Sequence, residues 1–210
     1  KELIKPDDDG FLSENLLPIL ESDLQNKNTT VINAGVGQGK TTAIIDVTTK
    51  CIDDYIVIIA VPYKNLINQY VEDFSKNISK YKIFSLLEFD NFFKKKKHKI
   101  EPFGYVDDEQ VIKESMLKSI DVSYFDIHIL TVNALLGNAG NSLFQKSEKA
   151  FYLENLKNYS RKSGKKIIVL FDEIHDAIHN FEERFLYKFW GFQDLIHKTY
   201  IISATFNEAS

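Results

Sequence analysis

Two short groups of residues, far apart in the chain, carry side chains suited to phosphate and metal chemistry. The first is the glycine-rich segment Ala34–Thr42, in which Lys40 and Thr41 follow three glycines. The second is the acidic pair Asp172 and Glu173. Backbone amides and a lysine can surround phosphates, while a threonine hydroxyl and an aspartate can ligate Mg²⁺. Together the two groups predict a site for magnesium-dependent nucleotide hydrolysis.

The glycine-rich segment lies between a predicted strand, Thr29–Asn33, and a helix predicted to begin at Lys40. A phosphate-binding loop needs this arrangement, because the helix N-terminus offers unpaired N–H groups and a favourable dipole. We expect Lys40 to reach the β- and γ-phosphates and the Thr41 hydroxyl to ligate Mg²⁺. A glycine turn without a ligand is the alternative. The residues assigned to nucleotide binding are Ala34, Gly35, Val36, Gly37, Gln38, Gly39, Lys40, Thr41 and Thr42.

The acidic pair follows the apolar run Ile167–Phe171, which is typical of a central parallel strand buried on both faces. Ligands of open α/β sheets bind at the carboxyl ends of strands. We therefore expect Asp172 to hold Mg²⁺, directly or through water, and Glu173 to orient or deprotonate the attacking water. The alternative is an acidic first turn of a helix. The upstream phosphate-binding loop favours the catalytic interpretation.

A second metal hypothesis comes from His175 and His179, which are four residues apart as in the zinc-binding motif of some hydrolases. That motif has a glutamate as its general base, whereas the equivalent position here is Asp176. The sequence also offers no evident third ligand. We therefore rank a zinc hydrolase below the nucleotide site.

Predicted strands alternate with predicted helices, which indicates an α/β domain with a mainly parallel central sheet and helices on both faces. The strands are Thr29–Asn33, Tyr55–Val61, Tyr81–Leu86, Asp126–Val132, Ile167–Phe171 and Tyr200–Ile202, and the helices are Glu14–Leu24, Lys40–Lys50, Lys64–Ile78, Asp107–Ile120 and Leu143–Lys162. Segments 87–122 and 137–165 are long for connections and are candidate insertions.

Composition limits the classes of protein. The chain has 210 residues and is 44% hydrophobic, which suffices for one sizeable core. Its one cysteine, Cys51, excludes an internal disulfide and predicts a cytoplasmic or other reducing compartment. A net charge of −4 argues against indiscriminate coating of nucleic acid, but not against a local groove with a few phosphate contacts. No apolar run approaches a membrane span, so we expect no membrane partner.

Five short segments in order resemble the motifs of superfamily 2 helicases and translocases of the DExH type. They are Ala34–Thr41 (motif I, including its leading alanine), Pro62–Gln69 (motif Ia), Thr131–Leu135, Asp172–His175 (motif II) and Ser203–Thr205 (motif III). The resemblance implies a RecA-like P-loop NTPase domain that uses ATP, or another NTP, with Mg²⁺. It also implies DNA or RNA as a partner.

The resemblance implies further residue roles. His175 joins Lys40, Asp172 and Glu173 in the catalytic set. Ser203 and Thr205 couple hydrolysis to the grip on nucleic acid. The residues expected to contact the nucleic-acid strand are Pro62, Tyr63, Lys64 and Thr131.

The chain begins at Lys1 and ends at Ser210, soon after the last motif. We expect a lead-in helix within residues 1–28 and a first RecA-like domain over 29–210, with the second RecA-like domain and its arginine finger absent. The expected function is a nucleic-acid-dependent NTPase motor domain, and the alternative is a nucleotide-binding regulatory or assembly module. Without an arginine finger, hydrolysis should be slower by roughly 10³ or more.

Overall fold

A computed structural model of the chain describes residues 4–5, 7–33, 35, 37–87, 122–136, 146–174 and 194–203. Its centre is a six-stranded, wholly parallel sheet in the order β1-β6-β5-β2-β4-β3. The strands are β1 (Thr29–Asn33), β2 (Tyr55–Val61), β3 (Ile83–Ser85), β4 (Ile127–Thr131), β5 (Lys166–Asp172) and β6 (Ile196–Ser203). The expected α/β fold with a parallel sheet is therefore confirmed.

The described helices are α1 (Ser13–Asp23), α2 (Lys40–Cys51), α3 (Lys64–Phe74), α4 (Val132–Leu136) and α5 (Lys146–Ser163). Short 3₁₀ turns cover Lys80–Lys82 and Val122–Tyr124. Helix α1 packs against α2, and α3 packs against strands β2, β3 and β4. None of the described helices has the length and apolar character that crossing a membrane requires.

The centre of the sheet forms the core because its strands are apolar almost throughout. Every residue of β4 is buried, and only the first residue of β2 and of β5 is not. Side chains that alternate between the two faces of a strand can all be apolar only where both faces are covered. These three neighbouring strands therefore hold the site-bearing strand ends in fixed positions.

Strand β6 is longer than the sequence pattern predicts, since it covers Ile196–Ser203 rather than Tyr200–Ile202. The added residues include Lys198, which is fully buried. Its Nζ lies 2.6 Å from a carboxylate oxygen of Asp23 and donates to Thr30 Oγ1 at 2.7 Å. A buried lysine needs such partners, and they come from distant segments that periodicity does not reveal.

Other element bounds differ less. Helix α3 ends at Phe74 rather than Ile78, and β3 is shorter than the predicted Tyr81–Leu86. The predicted helix Asp107–Ile120 lies outside the described residues. Helix α5 is described from Lys146, whereas the predicted helix began at Leu143; residues 143–145 lie outside the described part of the chain. The remaining bounds agree to within the one or two residues by which assignments normally vary.

The carboxyl ends of the strands lie along one edge of the sheet. Asn33 at the end of β1 is opposite Ser203 at the end of β6, and Val61 of β2 is opposite Thr131 of β4. Strand β5 lies between β6 and β2 and ends at Asp172. Parallel topology therefore brings the described parts of the predicted motifs to the same edge.

Candidate nucleotide-binding site

The glycine-rich loop and the acidic pair meet at one cavity of about 400 Å³ at this edge of the sheet. From the two predicted groups it is lined by Gly37, Gly39, Lys40, Thr41, Thr42, Asp172 and Glu173, and from elsewhere by Phe11, Leu66, Gln69 and Tyr70. A larger cavity of about 850 Å³ lies between α1 and β1, but neither Lys40 nor the acidic pair lines it. The smaller cavity is therefore the candidate site.

The loop backbone opens toward a ligand because two of its glycines adopt left-handed conformations. Gly37 has φ 77° and Gly39, directly before α2, has φ 80°. Side chains other than glycine rarely adopt these angles. No side chain of the described residues caps the N-terminus of α2. The first N–H groups of the helix are thus suited to bind an anion.

Side chains of the loop fold back onto its own backbone. The Gly35 N–H donates to Gln38 Oε1 at 2.6 Å, and Lys40 Nζ donates to the Gly35 carbonyl at 3.2 Å. These hydrogen bonds hold the lysine against the loop, where a phosphate would also lie. A bound phosphate would replace them with charge-assisted hydrogen bonds, which are stronger.

The two sequence groups are in direct contact. Lys40 Nζ lies 3.2 Å from Glu173 Oε1, and Lys40 is almost completely buried. The Glu173 side chain is 26% exposed, so the ion pair lies where the core meets the cavity. This contact places the predicted phosphate-binding lysine beside the predicted water-activating carboxylate.

Glu173 has an unusual backbone conformation for a residue other than glycine. Its φ is 50°, in the left-handed region, while its N–H donates to the Ile202 carbonyl at 2.9 Å. Such strain is concentrated at functional sites and costs about 1–3 kcal/mol. The turn directs the chain out of the sheet at the residue that lines the cavity.

Asp172 is a buried carboxylate whose hydrogen-bonding capacity is only partly used. Tyr70 donates its hydroxyl to Oδ2 at 2.7 Å, while Oδ1 has no hydrogen-bond partner among the described residues. Burial raises the pKa of Asp172; the Tyr70 hydrogen bond opposes this rise, the charge of Glu173 adds to it, and Lys40 opposes it. A buried, unsatisfied carboxylate oxygen beside a cavity is suited to a divalent cation. The residues present therefore fit Mg²⁺, with Thr41 as a second oxygen ligand.

The residues predicted to contact nucleic acid differ in exposure. Tyr63, directly before α3, is 51% exposed, and Lys64 is also exposed, whereas Pro62 is half-buried. Thr131 is buried, and its Oγ1 accepts a hydrogen bond from the Ala134 N–H at 3.2 Å, within α4. This hydroxyl stabilises the start of α4, so its described role is local. Nucleic-acid contact by all four residues stays a prediction.

Several predicted site residues lie outside the described part of the chain, namely Ala34, Val36, His175 and Thr205. The zinc hypothesis on His175 and His179 falls there too. Ser203 is described: it is buried at the end of β6, opposite Asn33. Its coupling role also stays a prediction.

Two cavity residues escaped the sequence interpretation. Tyr70 has the helical spacing of an apolar face, which indicates core packing and gives no sign of its hydroxyl contact. Phe11 belongs to the lead-in segment, which reaches the loop through a hydrogen bond from the Leu12 N–H to the Gln38 carbonyl at 2.8 Å.

The fold and the site define a RecA-like P-loop domain of the superfamily 2 helicases. Residues 9–207 match the family described as type III restriction enzyme, res subunit. The chain belongs to that family. No match was found among curated protein sequences.

Solved structures show the same fold at low sequence identity. The helicase domain of Hef from Pyrococcus furiosus is 15% identical, with a TM-score of 0.52 over 92% of this chain. A hypothetical ATP-dependent RNA helicase from Sulfolobus tokodaii is 18% identical, with a TM-score of 0.51 over 93% of this chain. The chain spans 33% and 46%, respectively, of the lengths of those two proteins.

Proposed function

We propose that this chain is the ATP-binding domain of a nucleic-acid-dependent motor. It would bind ATP with Mg²⁺, hydrolyse it slowly alone, and drive translocation or unwinding of DNA or RNA when joined to a second RecA-like domain. The observation that carries the proposal is the 3.2 Å contact between Lys40 Nζ and Glu173 Oε1. It joins the phosphate-binding loop to the acidic pair at a single cavity.

Each described residue of the site has a chemical role in this proposal. The loop N–H groups and Lys40 bind the β- and γ-phosphates, and Thr41 and Asp172 hold the metal. When bound, magnesium neutralises charge on the phosphates. Glu173 orients the attacking water and accepts its proton. Phosphoryl transfer depends mainly on such positioning and charge stabilisation, which this buried site can provide.

The exposed Tyr63 and Lys64 support a nucleic-acid role. They lie at the carboxyl end of β2, the strand next to β5, which carries Asp172. An exposed aromatic ring can stack on a base, and a lysine can contact a phosphate without sequence preference. Because β2 and β5 are adjacent, a movement at the nucleotide site would have to cross only one strand-to-strand spacing to reach Tyr63 and Lys64.

The proposal is tested by ATP binding and hydrolysis in two variants. Lys40→Ala should weaken binding of Mg-ATP by roughly 10- to 100-fold, because a charged hydrogen bond to phosphate is lost. Glu173→Gln should retain binding but lower turnover by about 10²–10⁴, because the general base is removed. Binding is measured by calorimetry and turnover by phosphate release, with and without DNA or RNA.

A second ion pair, which joins α2 to α1, supplies the control variants. Lys50, at the far end of α2, pairs with Glu21, and both side chains are exposed. Lys50→Ala and Glu21→Gln should change neither binding nor turnover. Retained turnover in Glu173→Gln would remove Glu173 from the base role. ATP binding in the full-length protein without hydrolysis stimulated by nucleic acid would instead identify a regulatory or assembly module.

A further inference from the structure

Tyr70 contacts Asp172, one of the two residues assigned to the metal. It lies on α3 with 2% of its surface exposed, and its hydroxyl donates to Asp172 Oδ2 at 2.7 Å. We propose that Tyr70 is a positioning residue, which holds Asp172 in the orientation that Mg²⁺ requires. This inference rests on the function proposed above.

The phenol would act on the metal through Asp172. A hydrogen bond on Oδ2 restricts rotation of the carboxylate and leaves Oδ1 as the oxygen with no partner among the described residues. Asp172 lines the cavity, so Oδ1 is the oxygen available to a cation there. Groups that hydrogen-bond to metal ligands fix their orientation and raise their affinity for the metal.

The phenol itself is held rigidly. The ring of Tyr70 stacks on Phe74, with centroids 6.1 Å apart, and both side chains are buried in the core. Burial, followed by the charge of Asp172, raises the pKa of Tyr70 well above its ordinary value, so the hydroxyl keeps its proton and acts as a donor. The orientation of Asp172 is thus tied to helix α3, which begins at Lys64.

The test removes the hydroxyl and keeps the ring. In Tyr70→Phe, Mn²⁺ binding in the presence of a non-hydrolysable ATP analogue should weaken by about 10-fold, as expected when a partner of a metal ligand is lost. Binding of the same analogue in EDTA should stay unchanged, because Lys40 and the loop remain. Electron paramagnetic resonance counts free Mn²⁺, so the readout does not depend on turnover. The Mg²⁺ concentration for half-maximal turnover should rise by the same factor, with activity restored at saturating Mg²⁺.

A matched control lies at the opposite end of the sheet. Tyr159 donates its hydroxyl to Asp126 Oδ1 at 2.9 Å, which is the same chemical contact away from the cavity. Tyr159→Phe should lower stability without changing Mn²⁺ affinity.

The outcomes separate the two proposals. If the unmodified chain binds Mn²⁺ and the analogue, and Tyr70→Phe binds Mn²⁺ equally or more tightly, the role of Tyr70 is overturned and the proposed function stands. The role is also overturned if Tyr159→Phe weakens Mn²⁺ binding as much as Tyr70→Phe does. If the unmodified chain binds neither metal nor analogue, the proposed function fails, and the role of Tyr70 fails with it.

Discussion

Two buried aspartates at opposite ends of the sheet have different surroundings. Asp126 precedes β4 and accepts hydrogen bonds from Lys165 at 2.7 Å, Lys82 at 3.0 Å and Tyr159 at 2.9 Å. Asp172 ends β5 and accepts one side-chain hydrogen bond among the described residues, from Tyr70. The two are 3% and 5% exposed, so burial does not distinguish them. Their hydrogen-bond partners do.

The electrostatic consequences are opposite. Burial raises the pKa of Asp126, but hydrogen bonds from Lys165, Lys82 and Tyr159 outweigh it, and the pKa lies below its usual value. Burial also raises the pKa of Asp172, and there the partners do not compensate. At the amino end of the sheet, protein groups alone therefore stabilise the charge of Asp126. At the carboxyl end, the Asp172 carboxylate has unused capacity for ligands, which a cation would fill.

The backbone shows the same contrast along strand β5. Before the strand, the left-handed position is occupied by Gly164, with φ 75°. After the strand it is occupied by Glu173, with φ 50°. Glycine adopts this conformation without steric cost, whereas other residues do not. The amino end follows the most stable local choice, and the carboxyl end departs from it at Glu173, whose side chain lines the cavity.

The largest expected effect compares Asp126→Asn with Asp172→Asn. The first change removes the charge that two lysines share, and breaking such a buried network should cost about 3 kcal/mol. The second removes an incompletely compensated buried charge, so stability should change by less than about 1 kcal/mol. Urea denaturation of both variants measures the difference. Equal losses would show that the two aspartates are equally well satisfied.

Low pH should destabilise the fold through His128, which lies on β4, two residues after Asp126. Its ring is fully buried between the Phe125 carbonyl at 3.1 Å and the Tyr152 hydroxyl at 3.0 Å. Burial lowers the pKa of His128 from 6.5 to about 4. Between these values the unfolded chain binds more protons than the folded one. Stability is therefore complete above the unfolded pKa and falls as the pH drops toward the folded pKa.

The expected loss from His128 is about 2 kcal/mol between pH 7 and pH 5. The raised pKa of Asp172 acts in the opposite direction, because there the folded state retains the proton. Urea denaturation at both pH values should show a smaller pH dependence in His128→Gln than in the unmodified chain. An unchanged dependence would assign acid sensitivity to other groups.

The sequence was sufficient for the parts of the fold that follow from local pattern. The uninterrupted apolar run of β2 predicted a buried strand with its observed bounds, Tyr55–Val61. The start of α2 at Lys40 was also predicted, because the preceding glycines end one element and begin another. The full length of β6 was not predictable, since Lys198 is stabilised by α1 and β1 rather than by its neighbours in sequence.

The same division applies to the site. Residue type and spacing predicted Lys40 and Glu173, and the structure places them in contact. Tyr70 was not predictable as a site residue, because in the sequence it is one apolar-face position of α3. Only the packing of α3 against the sheet brings its hydroxyl to Asp172. The sequence thus shows which residues can do chemistry, while the tertiary structure shows which residues hold them.

The smallest expected effect tests the backbone contrast along β5. Glu173→Ala and Glu173→Gly both remove the carboxylate and its pairing with Lys40, so they differ mainly in backbone preference. Because φ is positive at this position, the glycine variant should be more stable than the alanine variant by about 1 kcal/mol. At the other end of the strand, Gly164→Ala should lose about 1 kcal/mol for the same reason, since an added Cβ there meets nothing within 4 Å and only the backbone conformation is at stake. Urea midpoints of the three variants measure both differences. If Glu173→Ala is as stable as Glu173→Gly while Gly164→Ala is destabilised, then the turn at Glu173 is unstrained, and the carboxyl end of β5 gives up no stability to place its carboxylate.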